Sequence, residues 1–125
     1  MKVFVYGSLR KGGYLHREMK SAKYLGRGVL KGYRMYALTS YPMIVRSFGK
    51  VVVEAYDLPV RKFHRLHRIE RGAGYTLDYV KVRVRHNSKR KVVSGFVWVW
   101  LPDMVDVKKY KYIPSGDWIK YSKEE

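Results

Sequence analysis

The run Tyr75-Thr76-Leu77-Asp78-Tyr79-Val80-Lys81-Val82-Arg83-Val84-Arg85 decides the fold. Val80, Val82 and Val84 fall on one face at period two and Lys81, Arg83 and Arg85 on the other, the pattern of a strand with one buried face. Asn87-Ser88 then supplies a two-residue turn, and residues 92–101 read as the returning strand. Working back from this hairpin, residues 50–58 form a β-branched run typical of a central strand, stopped by Pro59. Tyr41-Pro42 marks a turn before Met43-Ile44-Val45, and glycine-punctuated strands are expected through residues 29–38. At the start, Val3, Phe4, Val5 and Tyr6 read as a largely buried strand that breaks at Gly7-Ser8.

Helical signals are fewer. Pro59 suits a first helical position, and Val60, Phe63, Leu66 and Ile69 recur at spacing three, so an amphipathic helix is expected, ended by Gly72 and Gly74. Residues 14–23 are compatible with a short helix presenting Leu15 and Met19. The tail, residues 102–125, carries aromatic anchors at Tyr110, Tyr112, Trp118 and Tyr121 without a period and is expected to be mostly irregular. Six strands that do not alternate with helices, beside one main helix, imply an α+β class with a mainly antiparallel, barrel-like sheet.

Composition bounds what such a fold can do. The 125 residues, 46% of them hydrophobic, are expected to form one domain, residues 1–125, with a single core. No apolar run approaches the roughly 20 residues of a membrane span, and the chain enters a strand pattern at once instead of a signal peptide, so a cytoplasmic protein without a membrane partner is expected. The absence of Cys excludes disulfides, thiolate nucleophiles and Cys-based zinc sites. With no Gln and one Asn, the Lys- and Arg-rich composition fits a thermophile. The formal charge of +17 makes nucleic acid one candidate partner, with a solvated basic surface as the alternative. Nothing in the sequence sets an oligomeric state.

Three features survive a search for chemistry. Tyr6-Gly7-Ser8-Leu9 opens a strand into a glycine turn, which is either a plain turn or a set of converging backbone N–H groups able to hold a carboxylate or oxyanion. Glu70 lies one turn after Leu66 and two after Phe63, within the apolar stripe and near the helix C-terminus. Desolvation and the helix dipole would both raise its pKa toward that of a general acid/base, unless the last turn frays or Glu70 pairs with Arg68 or Arg71. His64 and His67, at i and i+3, lack a third ligand and sit among Arg61, Lys62, Arg65 and Arg68, so they read as surface and flank residues and no metal is expected. Glu54, in the central strand, is either a second functional acid or one half of a salt bridge.

These residues together resemble the gamma-glutamylcyclotransferase-like family, in which gamma-glutamylamine cyclotransferases fall. The resemblance runs through Val3-Phe4-Val5-Tyr6-Gly7-Ser8-Leu9-Arg10-Lys11-Gly12, Tyr41-Pro42, Glu54-Ala55-Tyr56, Leu66-His67-Arg68-Ile69-Glu70 with Tyr75, and Ile113-Pro114-Ser115-Gly116-Asp117-Trp118. It implies a small mixed, mainly antiparallel β-barrel with one main helix and short flanking helices, Glu70 as the catalytic proton carrier, and Tyr6, Gly7, Ser8, Leu9 and Tyr75 as substrate-binding residues. It also implies an acyltransferase or lyase type of enzyme that needs no cofactor. Its small-molecule substrate would be a gamma-glutamyl amine or amino acid, cyclised to 5-oxoproline with release of the amine. Three positions depart from the family pattern: His67 stands where Asp is usual, Arg71 where Gly follows the Glu, and Leu77 where Arg is common.

Overall fold

In a computed structural model, which describes residues 1–124, the deciding hairpin forms as the alternation requires. The strands are β1 (Lys2–Val5), β2 (Lys23–Ala37), β3 (Pro42–Asp57), β4 (Thr76–His86), β5 (Lys89–Val99) and β6 (Lys111–Ile113). The α-helices among the described residues are α1 (Val60–Gly72) and α2 (Trp118–Glu124). β4 and β5 pair without interruption from Thr76 opposite Val99 to His86 opposite Lys89. Asn87 and Ser88 hold φ of 52° and 69°. Two positive φ angles are what a type I′ turn demands, and its twist matches that of the strands it joins.

The strand order is β3-β1-β5-β4-β2-β6, and β2 pairs with β3 as well. Every pairing is antiparallel except β1 with β5. The chain is thus a mixed α+β protein with one six-stranded, mostly antiparallel sheet. β2 and β3 are long because register shifts at Tyr24/Gly26 and Lys31/Tyr33 let them bend without ending. The separate strands expected through residues 29–38 are therefore one strand that begins at Lys23.

Period two along β1 distributes its side chains between two cores. Phe4 and Tyr6 join Met35, Ile44, Val53, Val82, Val84, Val97 and Val99 on one face of the sheet. Val3 and Val5 join Tyr56 and Trp98 on the other, where α1 covers them with Phe63 and Leu66. Burying these two helix side chains contributes roughly 1.5–3 kcal/mol each, and Phe63 stacks on Trp98 at a ring separation of 5.9 Å. The stripe is narrower than the sequence suggests, since Val60 and Ile69 are exposed, and Pro59 is the N-cap instead of the first helical residue.

The short helix expected in residues 14–23 is a single turn of 3-10 helix, His16–Met19, with Met19 buried. The tail expected to be irregular contains β6 and α2, apart from residue 125, which lies outside the described residues. β6 adds to the edge of β2 through Met35, Tyr36 and Ala37. Asp117 starts α2 by accepting from the Lys120 N–H at 3.2 Å. No α-helix among the described residues is long and apolar enough to cross a membrane.

Candidate active site

The loop after β1 is folded by its own carbonyls. The Gly7 carbonyl accepts from the Arg10 N–H at 3.0 Å and that of Ser8 from the Leu15 N–H at 3.1 Å. The Leu9 carbonyl accepts from His16 Nδ1–H at 2.9 Å. Among the described residues the N–H groups of Gly7, Ser8 and Leu9 donate to no partner, so three successive donors are left for something else. Gly13 closes the loop at a place where a Cβ would run into the Ser8 carbonyl.

A buried ion pair holds this loop in place. Arg10, 3% exposed, donates from Nε to Glu54 Oε2 at 2.9 Å and from Nη1 to Asp117 Oδ1 at 2.9 Å. Glu54 Oε1 also accepts from the Lys11 N–H and the Tyr56 hydroxyl, each at 2.9 Å. Glu54 therefore has the salt-bridge role of the two considered for it. Asp117, close to the tail's aromatic anchors, ties the start of α2 to the same arginine.

Glu70 behaves differently from every other acid near the core. No ion pair or side-chain hydrogen bond among the described residues engages its carboxylate, so neither Arg68 nor Arg71 neutralises it. It is half-buried on the last turn of α1, and burial pushes its carboxyl up from 4.5 to about 7. A carboxyl so placed exchanges protons near neutrality.

A cleft of about 460 Å³ between the β1 loop and α1 brings Glu70 together with Tyr6, Gly7, Ser8, Leu9 and Tyr75. Tyr6 donates its hydroxyl to the Trp98 carbonyl at 2.7 Å and Tyr75 to the Pro42 carbonyl at 2.6 Å. Burial, then the charge of Glu70 among their neighbours, pushes both phenols above their ordinary value. They are neutral walls of the cleft beside the Glu70 carboxyl. Gly74, at φ 100°, packs against the Trp100 ring and turns the chain from α1 into Tyr75.

Sequence reasoning missed Tyr14, Glu18, Tyr41 and Trp98, which also line the cleft. The Tyr41-Pro42 turn was the one available signal. Glu18 accepts from Lys62 Nζ at 3.1 Å and Arg65 Nη2 at 3.3 Å, and the Lys62 hydrogen bond holds its carboxyl below the usual range. Also unforeseen is Asp78, buried on the valine face of β4. It accepts from Tyr33 at 2.6 Å and from Arg46 Nε at 2.9 Å.

The departures fall elsewhere. His67 Nδ1 accepts from Trp98 Nε1 at 3.1 Å, and burial, then Arg71 and His64, hold its ring below the ordinary imidazole value. With His64, Arg68 and Arg71 it lines a second, open depression, while Leu77, partly buried, packs against the core that α1 covers. Neither His67, Arg71 nor Leu77 lines the Glu70 cleft. No group of three or more metal-ligating side chains occurs among the described residues.

A six-stranded sheet whose first strand opens into a donor-rich turn opposite an unpaired helix carboxylate defines a class of small α+β domains. Residues 3–120 match the model of the family described as "Gamma-glutamyl cyclotransferase, AIG2-like", and the chain belongs to that family. PH0828 of Pyrococcus horikoshii is 36% identical over 117 residues, which cover 94% of this chain and 90% of that one. Its crystal structure aligns with a TM-score of 0.76 over 99% of this chain and 94% of its own. The gamma-glutamylcyclotransferase family protein YtfP of Escherichia coli (strain K12) is 32% identical over 126 residues, covering 98% of this chain and all of that one (100%). A solved structure named gamma-glutamyl cyclotransferase has a TM-score of 0.65 at 16% identity, over 90% of this chain and 69% of its own, and so shares the fold.

Proposed function

We propose that this chain is a single-domain, cytoplasmic gamma-glutamylcyclotransferase of the acyltransferase or lyase type, with Glu70 as general base and then general acid. The ring of pairings β3-β1-β5-β4-β2-β3 supports reading the sheet as a small barrel, with the cleft beside its first strand. The observation that carries the proposal is a half-buried carboxylate, raised to about 7 and unpaired among the described residues, in one cleft with three unused N–H groups.

In this reading Glu70 takes a proton from the substrate's α-ammonium. The freed amine attacks the γ-carbonyl carbon of the same molecule, and the new C–N bond closes the five-membered ring. The tetrahedral intermediate collapses as the bond to the departing nitrogen breaks, Glu70 returns the proton to that nitrogen, and the ring nitrogen, on becoming an amide, releases its second proton to solvent. Products are 5-oxoproline and the free amine, with no net gain or loss of protons at the enzyme. Acid/base help of this kind is worth roughly 10²–10⁴-fold. The N–H groups of Gly7, Ser8 and Leu9 bind the substrate carboxylate or the oxyanion, a contribution of up to about 3 kcal/mol. Because attack is intramolecular, the cleft chiefly selects the reactive conformer. Leu15, Leu66, Ile69 and Ala73 make much of the remaining wall apolar, which supports a leaving amine with a hydrocarbon portion.

Incubating the protein with a panel of gamma-glutamyl amines and dipeptides, and measuring 5-oxoproline by chromatography, tests this. Release from at least one member, best with apolar leaving groups, is expected. Failure across the panel would overturn the assignment.

A further inference from the structure

The proposed reaction uses none of the basic residues of the β4–β5 hairpin, and they are arranged in an unusual way. From Tyr79 to Leu101 the chain carries Lys81, Arg83, Arg85, Lys89, Arg90 and Lys91 and no Asp or Glu. Register places Arg85 directly opposite Arg90 on β5 and opposite Arg27 on β2. Partners in register project from the same face of a sheet, so three arginines stand in a row across strands spaced about 4.8 Å apart. Arg83 and Lys81 continue this face along β4, since Val82 and Val84 between them are buried. Val29 and Val92, 45% and 56% exposed, lie beside them.

Like charges directly opposite one another destabilise a sheet. A surface built for heat resistance would interleave acids to form ion-pair networks. Here Arg27 alone of this row reaches an acid, Asp117 at 3.4 Å, among the described residues. A second copy of the chain is a poor occupant, because the face would meet its own charge. The acids on or beside the helices do not cover it: Glu70 is in the cleft, Asp117 is held by Arg10 as well as Arg27, and Glu124, at the end of α2, forms no ion pair among the described residues. What relieves the repulsion is a polyanion whose charges repeat along a line, and guanidinium groups bind phosphate oxygens in bidentate fashion. From this arrangement we infer that the outer face of β2, β4 and β5 binds the phosphate backbone of nucleic acid, with Arg27, Arg83, Arg85 and Arg90 as the principal contacts and the exposed valines against sugar.

The test is fluorescence anisotropy with a labelled mixed-sequence single-stranded DNA, titrated across a range of salt. Four phosphate contacts give a slope of log K against log salt of roughly −3 for a single strand. Arg83→Glu with Arg85→Glu should weaken binding at least about tenfold and reduce the slope by roughly 1.4. The charge-matched control on α1, Arg61→Glu with Arg68→Glu, should change affinity far less. The melting temperature of the hairpin variant should not fall, because the carboxylate introduced at position 85 would meet Arg27 and Arg90 as attractive partners. No binding at low salt, equal losses in the two double variants, or tighter binding to vesicles of anionic phospholipid than to the oligonucleotide would each overturn the inference.

Discussion

Replacing Glu54 by Gln probes the contact that presents the β1 loop to the cleft. The carboxylate accepts three donors, the Arg10 Nε–H, the Lys11 N–H and the Tyr56 hydroxyl, all at 2.9 Å. A glutamine oxygen can keep Lys11 and Tyr56, but its NH₂ group then faces the Arg10 Nε–H, donor against donor. Removing one partner of a buried pair costs about 3–5 kcal/mol. Arg10 retains Asp117 at 2.9 Å, which places the loss at the lower end, about 3 kcal/mol. At this chain length that lowers the melting temperature by roughly 10 °C. Urea and thermal unfolding measure it, and because the pair is buried the loss should persist at about 1 M salt. Weakened anchoring also loosens Gly7, Ser8 and Leu9, so KM should rise more than kcat falls. A loss below about 1 kcal/mol, or one that vanishes in high salt, would refute the reasoning.

Two further outcomes follow from the geometry. A carboxyl raised in the folded state favours folding in its protonated form, so its contribution is full below 4.5 and is lost as pH rises through about 7. Glu70→Gln should therefore be more stable than the wild type at about pH 8, by up to about 3 kcal/mol, and no more stable at about pH 4, as urea titrations at the two pH values will report. Ser88→Gly should stabilise the hairpin by roughly 1 kcal/mol, since Ser88 holds φ 69° and glycine adopts that conformation without steric cost; the unfolding midpoint is the readout.

The parts legible from sequence are those specified by local period. The β4–β5 hairpin was readable because valines alternate with cations and a turn dipeptide joins the strands. Glu70 was readable because helical spacing placed it behind Phe63 and Leu66, although the width of the stripe was overdrawn at Val60 and Ile69, which are exposed. The unreadable parts depend on partners distant in the chain. Residues 118–124 become a helix where Asp117 caps it and Arg10, 107 positions earlier, holds that cap. Asp78 continues the valine face toward the core, but its neutralising Arg46 is 32 residues away. The choice between catalysis and structure for Glu54 likewise required seeing Arg10 against it, and the length of β2 depended on two register shifts that leave no periodic trace.

Proton transfer by Glu70 is the central claim, and the most direct test is the pH dependence of 5-oxoproline release by the wild type and by Glu70→Gln on the best panel substrate. The wild-type kcat/KM should rise with an apparent pKa near 7, as the carboxyl deprotonates to act as base. The variant should lose about 10²-fold or more and the rise near neutrality with it. Equal turnover by the two proteins across the pH range would contradict the central claim.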